Sequence, residues 1–365
     1  MNKLMTLGLV FNLLSIAPSF AKGFKSISVN DGIEVLNNTS FSAESVAISD
    51  DGEKICWIAK SKDSKIVIPS DVFYRDLGDK KVHRLDKHGF LNAFTKCSFD
   101  QDNNLVTSKL HWRPLALSRT IIMGLLKGEF DPIGYASSIT TMNENQKVLS
   151  AIMPKSLDLK SDRIFLKHPR FSPDGKWLTY YLKHGKKLEG VYLHHLATGK
   201  THQLSAVYDK HPTWSPEGDK ILFHFQIDAT ETNPEQAYLG YFDLELNDNG
   251  DIKSSKRIML DDIEKVGFRY QKHPAMLAGT DFVFFHGEEE AGDKKDLFVR
   301  ELKPSSKTYK LKLKLNDLKI TKAKHPASGA FDNKIVFIGK VKDTKEDQVL
   351  MLSPKAIDNI LNEIE

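Results

Sequence analysis

One hairpin pattern recurs along the chain and constrains its fold more than any other feature. The stretch HPRFSPDGKWLTYY (168–181) has a near copy in HPTWSPEGDKILFHF (211–225). In both stretches a proline, an acidic residue and a glycine form a tight turn. The flanking residues are rich in aromatic and β-branched types and alternate between apolar and polar, which is typical of strands. Each repeat therefore begins with a hairpin of two strands.

A second hairpin follows the first in each repeat. The clearest example is GVYLHHLATGKTHQL (190–204), and residues 71–85, 237–260 and 296–313 have the same form. Four antiparallel strands that recur about every 40–50 residues are the pattern of a β-propeller blade. The spacing of the repeats predicts an all-β chain that forms a six-bladed β-propeller of four-stranded antiparallel blades.

Two parts of the chain depart from the regular repeat. Residues 134–152 align with the outer hairpin at 190–207, which makes them the outer hairpin of blade two and leaves residues 113–133 as an insertion. This apolar insertion either packs on its own propeller or offers a contact surface to a partner. The last blade lacks a fourth strand, because residues 354–365 have the pattern of a short C-terminal helix. We expect the N-terminal segment 23–36 to supply that strand and to close the last blade, because an open blade leaves an unpaired edge.

The first residues have the form of a secretory signal peptide. Residues 1–21 begin with a single cation, Lys3, continue with an apolar stretch and end in Ser19-Phe20-Ala21. These features indicate cleavage after Ala21. We therefore expect a periplasmic or secreted protein without a membrane span, in which residues 22–365 form a single propeller domain.

Charge and cysteine content narrow the classes of partner and linkage. The formal net charge is +4, and the 52 Lys and Arg residues are scattered among 48 Asp and Glu residues. A nucleic-acid-binding surface requires clustered cations, so we expect no nucleic-acid partner. The two cysteines, Cys56 and Cys97, form either one disulfide or two buried thiols, and the sequence leaves both alternatives open.

The triplet Lys-His-Pro occurs at the start of four predicted blades, and its cations and imidazoles are the candidate ligand-binding residues. They are Lys167, His168, Lys210, His211, Lys272, His273, Lys324 and His325. First strands line the central channel of a propeller, so we expect these side chains at one end of that channel. Histidine is the commonest metal ligand, which makes the four imidazoles candidate ligands of a divalent metal. The lysines form a cationic rim that favours anions. Near the matching place in blades one and two stand Ser45 and Lys96.

A structural role competes with ligand binding at these positions. Proline fixes the entry into each strand, and an imidazole can form a hydrogen bond to the neighbouring blade. We also expect equivalent positions on a ring to be too far apart to share one metal ion. No other cofactor is indicated, because the chain contains no phosphate-binding loop, no dinucleotide glycine motif and no nucleophile elbow.

The repeats resemble those of the TolB-type six-bladed β-propellers. The resemblance rests on residues 168–181, 193–204 and 211–225 and covers about residues 40–355. It implies a propeller that works by binding, here without the α/β domain that precedes the propeller in TolB. The repeats are also similar to those of oligogalacturonate lyases, which hold a divalent metal through histidine and glutamine in the channel. Gln271 lies close to His273 in this chain, but the ligand motif of the lyases does not map onto it residue by residue.

Two functional hypotheses follow from these patterns. The first is an exported cell-envelope binding or scaffold propeller, which engages a protein or a surface polysaccharide through its channel rim or loops. The alternative is a metal-dependent lyase or hydrolase that acts on an anionic polysaccharide at a histidine-lined channel. The fold alone does not decide between them, because one fold hosts many functions.

Overall fold

The computed structural model of this 365-residue chain describes most of it in separate stretches. They are residues 24–37, 41–60, 71–85, 94–112, 135–152, 163–183, 189–205, 208–231, 234–261, 270–289 and 294–365. The predicted signal peptide (1–21) and the predicted insertion (113–133) lie outside these residues, and both stay predictions.

The described part of the chain is almost entirely β-structure. The first strands in chain order are β1 (Lys25–Val29), β2 (Ile33–Val35), β3 (Ser42–Ile48), β4 (Lys54–Lys60), β5 (Asp71–Asp76), β6 (His83–Arg84), β7 (Phe94–Phe99), β8 (Leu105–Trp112), β9 (Tyr135–Met142), β10 (Val148–Ile152), β11 (Arg163–Phe171), β12 (Trp177–Lys183), β13 (Gly190–His195) and β14 (Thr201–Gln203). They are followed by β15 (Asp209–Trp214), β16 (Lys220–Ile227), β17 (Gln236–Leu246), β18 (Ile252–Met259), β19 (Tyr270–Met276), β20 (Phe282–Glu288), β21 (Asp296–Glu301), β22 (Thr308–Leu315), β23 (Leu318–Ala327), β24 (Ile335–Val341), β25 (Gln348–Leu352) and the helix α1 (Pro354–Ile364).

Successive strands pair antiparallel in four-stranded sheets. These sheets are β3–β6, β7–β10, β11–β14, β15–β18, β19–β22, and β23–β25 together with β2. The alignment of residues 134–152 is confirmed, since β9 and β10 form the outer hairpin of the sheet that begins with β7. The all-β class and the four-stranded antiparallel sheets predicted from the repeats are therefore present.

The first strand of each sheet lies against the first strands of its neighbours. Strand β7 contacts β3 and β11, β15 contacts β11 and β19, and β23 contacts both β19 and β3. Apolar side chains fill the spaces between adjacent sheets; one such cluster includes Trp177, Trp214 and Phe223. Burying one side chain of this size stabilises the fold by about 1.5–3 kcal/mol, so packing between sheets holds the first strands around a common centre.

The N-terminal segment divides its pairing between two sheets. Strand β2 pairs antiparallel with β25, and the Leu36 N–H donates to the Val349 carbonyl at 2.8 Å. This is the fourth strand that the sequence predicted for the last sheet. Strand β1 does not join it: Lys25–Val29 pairs parallel with β22 in the preceding sheet. The expectation that all of residues 23–36 completes one blade is therefore wrong for β1, because Ile27 and Val29 are buried beside β22.

The chain ends in the predicted short helix. Ser353 caps the N-terminus of α1 by accepting the Ala356 N–H, and Pro354 occupies the first turn, where its missing N–H costs nothing. Ala356, Ile357 and Ile360 form the buried face of the helix. Within the described stretches, no helix has the length and apolar character needed to cross a membrane.

The two cysteines are buried free thiols that touch one another. Cys56 lies on β4 and Cys97 on β7, so their contact joins neighbouring sheets. Burial, followed by the hydrogen bond and charge of Cys97, raises the pKa of Cys56 well above its ordinary value. The thiol form is therefore strongly favoured, which matches the alternative of two buried thiols.

Candidate functional site

The Lys-His-Pro triplet forms a β-bulge in the first strand of four sheets. In β11, Lys167 pairs with Tyr181 and Arg170 pairs with Thr179, so two residues stand opposite one. The same shift occurs between Lys210 and Thr213, Lys272 and Ala275, and Lys324 and Ala327. The histidine of each bulge has a left-handed backbone, with φ of 55°, 54°, 54° and 53° in chain order.

Left-handed backbone is uncommon for residues other than glycine, although histidine tolerates it better than most. A bulge re-aims the side chain it carries, and such features are frequent beside functional sites. The four bulges bring the four histidines together at the centre of the molecule.

The four imidazoles pack directly against one another. Ring centroids are 3.8 Å apart for His168 and His211, 3.8 Å for His211 and His273, and 4.0 Å for His273 and His325. We expected equivalent positions to be too far apart to share one metal ion. The rings of neighbouring triplets are instead in contact, because each bulge re-aims its histidine side chain.

Two further histidines, which lie outside the Lys-His-Pro triplets, complete the group. His224 pairs with Lys210 across β15 and β16, and His286 pairs with Lys272 across β19 and β20. The His224 ring lies 4.5 Å from that of His211, and the His286 ring lies 5.0 Å from that of His273. Their position opposite the Lys of a triplet was the signal that could have found them. The imidazole cluster is defined as these six residues: His168, His211, His224, His273, His286 and His325.

Several ring nitrogens of the imidazole cluster are buried without a hydrogen-bond partner among the described residues. They are Nδ1 of His211, Nδ1 of His325 and both ring nitrogens of His224. An unpaired buried polar atom costs about 1–3 kcal/mol of folding free energy, so these unpaired nitrogens destabilise the fold if they have no other role. Unpaired buried groups call for a specific explanation such as a bound ion or water.

Burial lowers the pKa of each of the six imidazoles well below its ordinary value, and neighbouring histidine and lysine charges lower it further. The direction of the shift follows because removal from water disfavours the protonated, charged imidazole. The cluster is therefore uncharged at neutral pH. Each neutral ring keeps one nitrogen lone pair, the form that binds metal ions.

One part of the cluster has the spacing of a metal site. Ligand atoms of His273, His286 and His325 all lie within 4.8 Å of one another. Among the described residues, Nδ1 of His325 is buried without a hydrogen-bond partner, which leaves its lone pair available to a ligand.

His286 fits a metal less readily than the other two. Its Nδ1 accepts the His325 backbone N–H at 3.2 Å, so a neutral ring carries its proton on Nε2. Binding a metal requires His286 to give up this hydrogen bond, which costs about 1 kcal/mol. The His211 ring lies 3.8 Å from that of His273, and its Nδ1 has no partner among the described residues, so His211 is a candidate additional donor.

The four lysines of the triplets lie outside the ring of imidazoles, and three of them pair with carboxylates. Lys210 lies 3.9 Å from Asp228, Lys272 lies 2.6 Å from Glu235, and Lys324 lies 3.3 Å from Asp347. The Lys167 ammonium stands 4.8 Å from the centroid of the Phe165 ring. Ion pairing therefore neutralises much of the predicted cationic rim.

The cations that face the centre are instead Lys96 and Arg170. A cavity of about 70 Å³ adjoins the imidazoles, and both residues line it. Burial, followed by the charge of Lys167, lowers the pKa of Lys96 to about 8. Other residues lining this central cavity include Ser45, Asp50, Cys97, His168, His211, His273 and His325.

Comparison with known proteins identifies the fold but assigns no family. No family model matches the chain, and no curated protein matches it. TolB from Acinetobacter baumannii matches with a TM-score of 0.50 at 10% identity, over 83% of this chain and 64% of that chain. This chain therefore spans less than two thirds of the length of that TolB.

Two enzymes are among the other solved structures that match. The Xanthomonas campestris protein XC5397, described as a gluconolactonase, has a TM-score of 0.51 at 11% identity, over 88% of this chain and 89% of that chain. A manganese complex of oligogalacturonate lyase has a TM-score of 0.46 at 10% identity, over 88% of this chain and 79% of that chain. A TM-score this low supports no conclusion about the site. Similarity at these identities establishes a TolB-like β-propeller fold and nothing about activity.

Proposed function

We propose that this chain is an exported binding propeller whose centre is a divalent transition-metal site in the imidazole cluster. In this proposal His273, His286 and His325 hold the ion, with His211 as the next donor. The metal-loaded centre serves recognition of an envelope protein or a surface polymer. The site is surrounded by the other residues of the triplets, which contact a ligand as it reaches the metal: Lys167, His168, Lys210, Lys272 and Lys324.

The observation that carries the proposal is the convergence of four bulged histidines. Left-handed backbone costs free energy at each position, yet it recurs at His168, His211, His273 and His325 with φ within 53–55°. Packing alone gives no reason to place several neutral imidazoles in contact with unpaired nitrogens. A metal ion supplies the missing partner for these lone pairs.

The architecture and the location are part of the same proposal. The contacts that lead from β3 through successive first strands to β23 and back to β3 support a ring of six blades. The signal-like residues 1–21 support export to the periplasm or beyond. An exported protein meets metal ions and surface polymers directly, which suits a binding role.

Calorimetric titration of the chelator-treated protein with zinc chloride tests the metal site. We expect one zinc ion per chain, and His273→Ala or His325→Ala should weaken binding at least tenfold because each removes a ligand. His194→Ala is the matched control, since His194 lies on the outer hairpin and bonds to Thr201. Absence of zinc binding, or equal binding by all variants, would contradict the proposal.

The alternative of a metal-dependent lyase or hydrolase is favoured by one specific observation. The group His273, His286 and His325 supplies three donors, and catalytic zinc sites combine three protein ligands with an open fourth position. Incubating the metal-loaded protein with polygalacturonate and measuring new chain ends tests this hypothesis. Metal binding without any cleavage would leave the binding propeller as the function.

A further inference from the structure

The central cavity contains a half-buried lysine that no described carboxylate neutralises by an ion pair. Lys96 lies on β7, near the position that His168 holds in β11, and its side chain faces the imidazoles. Among the described residues, no carboxylate oxygen lies within the 4.0 Å of an ion pair from its ammonium group. The charge of Glu44 acts on Lys96 and raises its pKa, but burial and the charge of Lys167 outweigh it.

Arg170 adds a second cation to the same cavity. Its Nη1 donates to the carbonyl oxygens of Cys97 and Pro169 at 3.2 Å each, and these contacts hold the guanidinium without cancelling its charge. Asp50 is the carboxylate that lines the cavity, and burial raises its pKa, which weakens its negative charge. The cavity therefore has an excess of positive charge.

A metal ion at the imidazole cluster increases this excess. Three neutral imidazoles leave the charge of a divalent ion uncompensated. Lys96 lines the same cavity as His211 and His325, so a metal ion held by these imidazoles shares that cavity with the ammonium group. Like charges inside a desolvated cavity repel strongly unless an anion lies between them.

We propose that the central cavity binds an oxyanion, a carboxylate or phosphate group, between the metal ion and Lys96. One oxygen of the anion fills the open position on the metal and another accepts a hydrogen bond from the Lys96 ammonium. Arg170 adds attraction from the far side of the cavity. This inference rests on the proposed metal site and names the chemical class of what that site recognises.

The size of the cavity limits how the anion enters. About 70 Å³ holds roughly five water-sized positions, which is enough for one carboxylate or phosphate group with a few waters. A sugar ring or a peptide residue does not fit. A larger ligand therefore inserts a single anionic group and leaves the rest of its mass outside.

Cobalt(II)-loaded protein provides the test, because the visible spectrum of cobalt reports a change of its ligands. Inorganic phosphate and sodium acetate are titrated separately, which distinguishes phosphate from carboxylate recognition. We expect at least one of them to change the spectrum and saturate. In Lys96→Met the affinity for that anion should fall at least tenfold, while cobalt binding is unchanged or tighter because a repelling charge is gone.

Controls separate the possible failures. Lys96→Arg keeps the charge and should retain anion binding, and Lys176→Met, at an exposed lysine paired with Asp248, should behave as wild type. If cobalt binds and neither anion changes the spectrum, or if Lys96→Met keeps full anion affinity, the inference is overturned and the metal site stands. If no cobalt binds to the wild type, both proposals fail.

Discussion

Acidification should unfold the metal-free protein over a narrow pH range, because its six clustered histidines lose proton affinity on folding. The pKa of each lies well below the ordinary 6.5 in the folded chain. The unfolded chain takes up these protons near pH 6.5 and the folded chain does not. Stability is therefore complete above pH 6.5 and is lost as the pH falls from there toward the folded-state pKa values.

The expected effect is large. Each such group removes up to about 1.4 kcal/mol of unfolding free energy per pH unit. Six therefore remove up to about 8 kcal/mol per unit once the unfolded chain is fully protonated and while the folded rings stay neutral. A domain stability of about 5–15 kcal/mol is exhausted within one to two units. We expect the midpoint of acid unfolding between about pH 4.5 and 6.

Urea denaturation followed by tryptophan fluorescence, at several pH values and with chelator present, measures this loss. His224→Phe is the informative variant. His224 is fully buried and neither of its ring nitrogens has a partner in the described part of the chain, so phenylalanine removes a proton site without breaking a described hydrogen bond. Its stability should fall less steeply, by about 1.4 kcal/mol per pH unit. A stability that stays flat from pH 7 to 5, or an unchanged slope in His224→Phe, would refute the reasoning.

Two further predictions concern the scaffold. Arg300→Met should lower the free energy of unfolding by about 3–5 kcal/mol, because it leaves Asp261 buried without the Nη1 group that now donates to both of its oxygens at 2.7–2.8 Å. Urea denaturation should show no comparable loss for Lys176→Met at an exposed pair, and equal losses in the two variants would contradict this prediction. Leu36→Pro should cost about 1–3 kcal/mol by removing the N–H that bonds to Val349, whereas Leu36→Met keeps that N–H. Identical denaturation curves for the two Leu36 variants would show that the N-terminal strand does not hold the last sheet.

Local patterns in the sequence were sufficient to predict the strands and their antiparallel order. Hairpin turns such as Ser172-Pro-Asp-Gly175 specify strand pairs between near neighbours in the chain, which the structure confirms. The place of β1 depends on contacts with β22, which is distant in sequence. Alternation along Lys25–Val29 identified a strand but could not identify its partner.

Four of the six histidines in the cluster were predictable from the sequence, whereas His224, His286 and the geometry of the cluster were not. The triplets located four histidines at equivalent places, but the distance between their rings depends on the bulge that turns each backbone to positive φ. The ion pairs of the triplet lysines were also not predictable. Lys272 pairs with Glu235 and Lys324 pairs with Asp347, and both carboxylates lie on segments that the sequence pattern does not connect to the triplets.

Anomalous X-ray diffraction at the zinc edge, from crystals of the zinc-loaded protein, tests the central claim most directly. The claim requires one strong peak per chain, about 2.0–2.1 Å from ring nitrogens of His273, His286 and His325. It also requires that peak to vanish in His325→Ala. A peak at any other residues, or none in crystals grown with saturating zinc, would contradict a metal centre in the imidazole cluster.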